Sequence, residues 1–447
     1  MSVENNSYIN EYLSQVCSHV KYKEAHKEIG LELTSHIYDV ADEYIEDGLS
    51  EEEAFKHAIN RMGEPMLVGK ELNVAHKGTP DWITLILTLT FVNLGIFIMY
   101  LLKSYNGYEW AFYNSIRYGL AGTFCIVLLY YFDYRKLKRY SYHLFAGTLL
   151  ICLITIFNGE YVLGRPMLRI LGNTINFIGI SPFLFVIALA GIFSQRNWNE
   201  DNDDFISVTF KSKVTFKLSN SLLKFFLLMI IPSFIMFIFP STACLILYYV
   251  GFMIMAVLSG MKKKYTVLPI VVSILGCLHL IIAYPYRMVR LFSYINYYKD
   301  PQGAGYTNMQ IHNIIQSAKL FGQGFIFPKQ TLPLVHTEFL LNYILYAFGW
   351  TGVIILIGAV GIYLSRMIYI TSKINDLYGQ LLMGGLLSMI FIEFAFNILM
   401  NLNCMPLIGM SLPFMSYGGM LSIIHAISIG IILSVYRRRS LSCCRYN

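Results

Sequence analysis

Long apolar runs recur along the chain and constrain its fold more than any other feature. The first run, 82–102, would rise about 31 Å as an α-helix, enough to cross the roughly 30 Å hydrocarbon core of a bilayer. Further runs of similar character lie at 114–132, 141–157, 174–195, 222–239, 241–259, 265–285, 337–363, 379–402 and 417–436. The pattern predicts an all-α polytopic membrane protein with about ten transmembrane helices.

Composition supports this interpretation. Of the 447 residues, 56% are apolar and only 14% are charged, whereas soluble domains average roughly 25% charged. These values exclude a soluble globular protein, a disordered chain and a collagen-like fibre. No feature indicates a nucleic-acid partner.

The charge is divided unevenly between two parts of the chain. Residues 1–80 hold 15 of the 27 acidic and 7 of the 34 basic residues, and the remainder carries a net charge of +15. We therefore predict a soluble helical domain over 1–80 and a membrane domain over 81–447. Within the first, Ser50 and Glu53 form a capping-box pattern, and Gly63 is placed to end the helix that follows. The region 48–72 resembles the helical prefix domains of some bacterial permeases, which implies either a docking or regulatory module or a passive cytoplasmic cap.

The eight cysteines show no CxxC pair and no regular spacing, so we predict neither a disulfide framework nor a zinc site. Cys443 and Cys444 follow an arginine cluster, where they are either lipidated or part of a reduced cytoplasmic tail. The polar, acidic start of the chain does not read as a signal peptide.

Charge also predicts an orientation. Ten spans place both termini on one side, and a cytoplasmic prefix leaves 17 basic residues in inner segments against 8 in outer ones, as the positive-inside rule requires. Five of the outer bases lie in one long loop, 286–336: Arg287, Arg290, Lys299, Lys319 and Lys329. Either an anionic ligand or the anionic lipid headgroups would account for this concentration.

A second unusual stretch, 400–419, contains two prolines and three glycines. Because unpaired backbone cannot face lipid, the stretch must be buried in protein or line a wet cavity. Glu393 and Asn397 precede it within the ninth span. A carboxylate there indicates a functional site, or else a side chain turned to an outer aqueous vestibule. For His279 and His425 we expect an interhelical hydrogen bond rather than a catalytic role.

Five motifs in these two regions resemble those of the SEDS family, the shape, elongation, division and sporulation proteins of the FtsW, RodA and SpoVE group. They are YPYRMVRL at 284–291, DPQGAGY at 300–306, LFGQG at 320–324, LPLVHTEF at 332–339 and PLIGMSLPFMSYGG at 406–419. The last is close to the family's PVTGLPLPFISYGG.

The resemblance implies a peptidoglycan glycosyltransferase that polymerises lipid II, a disaccharide-pentapeptide on undecaprenyl pyrophosphate, at the outer face of the bacterial plasma membrane. Such chemistry needs a base for the acceptor hydroxyl and positive charge for the departing pyrophosphate. A lipid-linked precursor flippase and a catalytically silent scaffold for a transpeptidase remain alternatives. The implied partners are lipid II, membrane lipid and a class B penicillin-binding protein. No cofactor is specified, although a divalent cation is compatible with the site.

The resemblance also implies site residues. Glu338 stands where the family has its functional aspartate, as the catalytic base; read without the family, it is a capping acid in the first turn of the eighth span. The family's glutamate and lysine are replaced by Leu334 and Gln323, and 180–183 lacks the charges of a family element. The predicted substrate-binding residues are Arg290, Lys319, Lys329, His336, Thr337, Glu393, Asn397, Ser416 and Tyr417.

Overall fold

The structure is a computed structural model. It describes residues 7–21, 26–75, 80–162, 165–170, 173–195, 205–210, 214–238, 241–261, 294–328 and 332–439. These residues divide into two compact units. One contains the described residues up to Pro80 with 374–376 and the C-terminal residues from Tyr436, and the other contains 81–373 and 377–435.

The first unit is built on four helices: α1 (Ser7–His19), α2 (His26–Glu46), α3 (Glu51–Met62) and α4 (Pro65–Ala75). Their apolar faces meet in a common core that includes Val16, Ile37, Ala41 and Ala58, each fully buried. Gly69 lies so close to α1 that a Cβ there would stand 2.7 Å from the Val16 carbonyl oxygen.

The helix ends in this unit differ in one respect from the prediction. Gly63 ends α3 with φ of 93°, as expected, and α2 ends at Glu46. The capping box was wrong in detail, because the Ser50 side chain makes no hydrogen bond to the backbone of α3. Its hydroxyl donates instead to Glu53 Oε2 at 2.7 Å, so the two capping side chains satisfy each other.

In the second unit, the described residues include seven helices long and apolar enough to cross a membrane. In chain order the helices are α5 (Trp82–Asn106), α6 (Glu109–Tyr131), the short α7 (Arg135–Arg139), α8 (Ser141–Asn158), α9 (Phe177–Ser194), α10 (Asn220–Ile238), α11 (Thr242–Leu258), α12 (Tyr306–Ser317), α13 (Leu340–Thr371), α14 (Leu377–Asn401) and α15 (Met420–Arg437). The seven long ones are α5, α6, α8, α9, α13, α14 and α15, and α10 and α11 contribute shorter apolar segments. The predicted span 265–285 lies outside the described residues, so the count of ten stays a prediction.

Two connectors contain strands that the sequence analysis did not anticipate. Strands β1 (Glu160–Val162), β2 (Arg165–Ile170) and β3 (Asn173–Ile175) form a small antiparallel sheet, with Glu160 opposite Met167 and Leu168 opposite Ile175. Strands β4 (Phe205–Phe210) and β5 (Val214–Ser219) form a hairpin. Both hairpin strands are rich in β-branched and aromatic residues, which favour a pleated pairing.

The interior of the second unit is closely packed around α9, which is buried over most of its length. Near one end of this unit an ion pair joins two spans. Asp81, at the start of α5, accepts from Arg366 of α13 at 2.7 Å, and the Asp81 side chain is only 1% exposed. The pair therefore aligns the start of α5 with the part of α13 around Arg366.

Helix α13 is broken at Gly349, whose φ of 73° and ψ of −167° are not helical. The motif LFGQG caps both sides of the break. The Trp350 and Thr351 amides donate to the carbonyls of Lys319 and Leu320, each at 3.1 Å, and the Gln323 amide donates to the Tyr346 carbonyl at 2.9 Å. The backbone groups freed by the break are thus satisfied by the loop rather than by lipid.

Gly349→Ala is expected to destabilise the protein by more than about 2 kcal/mol. A Cβ at Gly349 would collide with the Lys319 and Leu320 carbonyl oxygens, and the backbone conformation itself disfavours any L side chain. The thermal unfolding midpoint in detergent measures the effect. Gly361→Ala is the matched control, since Gly361 lies in the regular part of α13 with open space around it. Equal midpoints for the two variants would contradict the capping role.

Candidate functional site

A tight turn before α13 presents the predicted base. Leu334 adopts a left-handed conformation with φ of 55°, and its carbonyl accepts the Thr337 and Glu338 amides at 3.0 and 3.1 Å. Helix α13 begins only at Leu340. The expectation that Glu338 lies in the first helical turn was therefore wrong, because the left-handed turn delays the helix start.

Asparagine side chains hold this turn against α14. The Glu338 carbonyl accepts from the Nδ2 atoms of Asn397 and Asn401, both at 3.0 Å. Asn397 also donates to the Met410 carbonyl at 2.7 Å, and Asn342 donates to Asn401 Oδ1 at 2.5 Å. All three asparagines are buried. A buried amide network of this kind positions the backbone at residue 338 because each lost bond leaves a desolvated polar group.

The Glu338 carboxyl group lies against the irregular segment 402–419. Gly409 has φ of 78°, and a Cβ built there would stand 3.0 Å from Glu338 Oε1. Within the segment, residues 412–416 are buried in the protein, which is one of the two alternatives predicted for this stretch. Its backbone forms one wall beside the half-buried carboxylate.

Aromatic rings surround the neighbouring histidine. The His336 carbonyl accepts the Tyr417 amide at 2.9 Å. The His336 ring lies 5.0 Å from Trp110, 5.3 Å from Tyr108 and 5.9 Å from Tyr417, measured between ring centroids. Burial lowers the pKa of His336. The neutral imidazole is thus favoured at pH 7.

This burial predicts a pH dependence of stability. The unfolded chain protonates His336 near its ordinary pKa of 6.5, and the folded protein does so only at lower pH. The contribution is complete above that value and is lost as pH falls, with a slope of at most about 1.4 kcal/mol per pH unit. His336→Phe should flatten the acid limb of a plot of unfolding midpoint against pH. The exposed His143, changed to Phe, should leave it unaltered, and an equal response in both variants would refute the assignment.

A narrow crevice lies beside the site, between α5, α6 and α15. Small residues line much of it, including Gly95, Gly119, Gly122, Gly418 and Gly419. A Cβ at Gly95 would stand 2.7 Å from Met415 Cα, so the first span and the irregular segment approach each other closely here.

Glu393 and His425 form a buried pair between α14 and α15. Glu393 Oε2 and His425 Nε2 are 2.5 Å apart, and the side chains are only 3% and 2% exposed. The rings of Phe183 and Phe414 lie 5.4 and 5.5 Å from the imidazole. The interhelical hydrogen bond expected for His425 is confirmed, and a Glu393 side chain turned to an aqueous vestibule was wrong. His279 lies outside the described residues.

The remaining predicted residues divide into three groups. The hydroxyl groups of Thr337 and Ser416 bond to backbone, at 3.1 Å to the Leu334 carbonyl and 3.0 Å from the Leu412 amide. Lys319 belongs to the turn at Gly349. The helical segment 340–348 separates that turn from Glu338 and rises roughly 14 Å, so Lys319 is not among the residues around Glu338. Arg290 and Lys329 lie outside the described residues. Within the described ranges, no group of three or more His, Cys, Asp or Glu side chains could hold a metal ion.

Sequence reasoning missed several members of this cluster. Asn401, one turn after Asn397, carries a detectable signal, because a second amide on the same helical face suggests a shared partner. Trp110, Tyr108 and Gly409 carry none, since they come from segments that only the fold brings to residues 336–338.

The sequence model of a family described as Cell cycle protein, that of FtsW, RodA and SpoVE, matches residues 81–441. The chain belongs to this SEDS family. Stage V sporulation protein E of Bacillus subtilis is 30% identical over 187 residues, which cover 41% of this chain and 51% of that protein. Peptidoglycan glycosyltransferase MrdB of Escherichia coli is 26% identical over 220 residues, covering 48% and 60%. The chain thus spans about half the length of the relatives that it matches first.

Solved structures agree with the SEDS fold. A chain of a peptidoglycan synthase complex aligns with a TM-score of 0.65 at 21% identity, covering 81% of this protein and 98% of that chain. RodA of Thermus thermophilus aligns with a TM-score of 0.57 at 20% identity over the same shares. The Glu338 cluster lies wholly within the SEDS part, and this multi-pass bacterial membrane protein carries residues 1–80 ahead of it.

Proposed function

We propose that this protein is a peptidoglycan glycosyltransferase that polymerises lipid II, with Glu338 as the general base. The observation that carries the proposal is the half-buried Glu338 carboxylate on a turn locked by Asn397 and Asn401. It occurs in a family whose relatives include named peptidoglycan glycosyltransferases.

The geometry suits a base. Glu338 lies two residues before the start of α13, on the turn that Asn397 and Asn401 hold. An ionised carboxylate beside a backbone wall can accept the proton of an acceptor sugar hydroxyl, a contribution of typically 10²–10⁴-fold. On this proposal Glu338 replaces the family aspartate.

The leaving group is the lipid pyrophosphate, which needs compensating positive charge. We assign that role to Arg290, the one base that matches the family pattern. A divalent cation would arrive bound to the substrate pyrophosphate, as Mg²⁺ commonly does at phosphate sites. The proposed topology places residues 286–336 outside and both termini in the cytoplasm, in accord with the 17 inner and 8 outer basic residues.

The proposed partner is a class B penicillin-binding protein. The structural neighbour comes from a peptidoglycan synthase complex that coordinates polymerization and crosslinking. A polymerase that hands its glycan chain to a transpeptidase would need such an association.

A reconstituted assay tests this function. Purified full-length protein in detergent or liposomes is given labelled lipid II, alone and with a candidate transpeptidase, and the products are separated on a gel. Glycan chains longer than the disaccharide are the expected result. Transbilayer movement of lipid II without polymer would indicate a flippase, and binding to the transpeptidase without either activity would indicate a scaffold.

A further inference from the structure

The LFGQG turn exposes large apolar side chains next to a lysine. Leu320 is 65% exposed, Phe321 is 83% exposed and Ile326 is 68% exposed. Phe321 is thus the most exposed of these apolar residues, although Phe325 and Phe327 nearby pack against other rings. Neighbouring Lys319 is also exposed.

This exposure belongs to a rigid backbone. The carbonyls of Lys319 and Leu320 accept amides of α13, and the Gln323 amide donates back to Tyr346. Gly322 packs so tightly against the Ala347 carbonyl that no side chain would fit there. The turn therefore presents Leu320 and Phe321 in a fixed direction and does not fold them inward.

Two helices place this turn relative to a bilayer. The ion pair between Asp81 and Arg366 marks one level shared by α5 and α13. Twenty helical residues rise about 30 Å, the thickness of the hydrocarbon core. Counted from that level, the opposite boundary falls near Leu101 on α5. On α13 the regular helix rises about 26 Å from Arg366 to Gly349, so that boundary lies within about one turn of the break.

The contacts at that second boundary agree. Asn106, just past Leu101, donates to the Phe327 carbonyl at 2.7 Å, and the Tyr105 ring lies 5.5 Å from Phe325. The outward-facing apolar residues of α13 begin just inside it, with Ile354 at 64% and Ile355 at 72% exposure. The LFGQG turn, bonded to Trp350 and Thr351, therefore sits at the edge of the hydrocarbon layer.

We propose that Leu320 and Phe321 form a membrane-interface anchor, with Lys319 contacting lipid phosphate. Exposed apolar side chains at this depth gain burial by entering the boundary between headgroups and acyl chains, and a basic neighbour adds attraction to anionic lipid. The anchor fixes the long loop and the half-helix 340–348 to the bilayer surface. The inference is independent of the proposed glycosyltransferase activity.

Photocrosslinking in nanodiscs tests the anchor. p-Benzoyl-phenylalanine is placed at Phe321 in the full chain, without a partner protein, in phosphatidylglycerol and phosphatidylcholine. Adducts are identified by mass spectrometry. The same probe at Ile355 reports acyl-chain contact, and at Tyr298, which is 59% exposed in the same loop but hydrogen-bonded to His312, it gives the loop comparison.

A lipid adduct at 321 approaching that at 355, and several-fold above that at 298, is the expected outcome. Lys319→Gln should lower the share of phosphatidylglycerol in the adducts at 321. Absence of lipid adducts at 321 would overturn the proposal, and so would crosslinking at 321 to a second copy of the chain in place of lipid.

Discussion

Glu338→Gln is expected to reduce lipid II polymerisation by at least about 100-fold. The amide keeps the size of the side chain and its place beside Gly409, but it cannot accept the proton of an acceptor hydroxyl at neutral pH. Because the Glu338 carbonyl, not its side chain, holds the bonds to Asn397 and Asn401, the turn should survive the substitution. The initial rate of glycan formation from labelled lipid II measures the loss.

Two variants control this experiment. Glu109→Gln makes the same chemical change at an exposed acid that begins α6, and should leave the rate unaltered. Glu338→Asp keeps the carboxylate but withdraws it by one methylene. Since the carboxylate can still accept a proton but is misplaced by roughly 1 Å, we expect partial activity, above that of Glu338→Gln. Unfolding midpoints close to that of the unsubstituted protein show that the fold is intact.

The possible outcomes distinguish the role of Glu338 as general base from the polymerase activity itself. Full activity in Glu338→Gln would remove Glu338 as the base and leave the polymerase in place. Absence of polymer from the unsubstituted protein, with and without a transpeptidase, would remove the polymerase itself. Neither result would bear on the LFGQG anchor, which is read from lipid adducts alone.

The membrane helices were predictable because length and hydropathy are local properties. The run at 141–157 became α8, Ser141–Asn158, and that at 379–402 became α14, Leu377–Asn401. The break at Gly349 was not foreseen, since a glycine within an apolar run looks like an ordinary helical position. Its backbone is accommodated only because LFGQG, from a separate part of the sequence, supplies the missing hydrogen bonds.

The candidate site was predictable only in part, for the same reason. The motifs around His336, Glu338 and Tyr417 are legible in the sequence, and the structure joins them through the Tyr417 amide and Asn397. Which partner each polar group finds is a long-range property. His425 was expected to form a hydrogen bond across a helix interface. Nothing in its own segment indicates that the partner is Glu393, 32 residues earlier.

His425→Leu is expected to lower the stability of the membrane unit by about 1–3 kcal/mol, the usual cost of leaving one partner of a buried hydrogen bond unsatisfied. The Glu393 side chain is 3% exposed, so its carboxyl group would remain desolvated without its hydrogen bond. The rings of Phe183 and Phe414, which lie beside the imidazole, carry no hydrogen-bond donor that could replace it. The thermal unfolding midpoint in detergent, followed by tryptophan fluorescence, measures the change.

Three further variants test the origin of that loss. Glu393→Gln should cost much less, because a neutral amide can still bond to the imidazole. The double variant Glu393→Leu with His425→Leu should recover much of the stability lost in His425→Leu, since apolar side chains can replace a buried pair at little cost. Ser428→Ala, on the same helix and fully buried, controls for a polar group whose bond stays within α15. A double variant no more stable than His425→Leu alone would indicate that lost packing around the imidazole, and not the unpaired carboxyl group, limits stability.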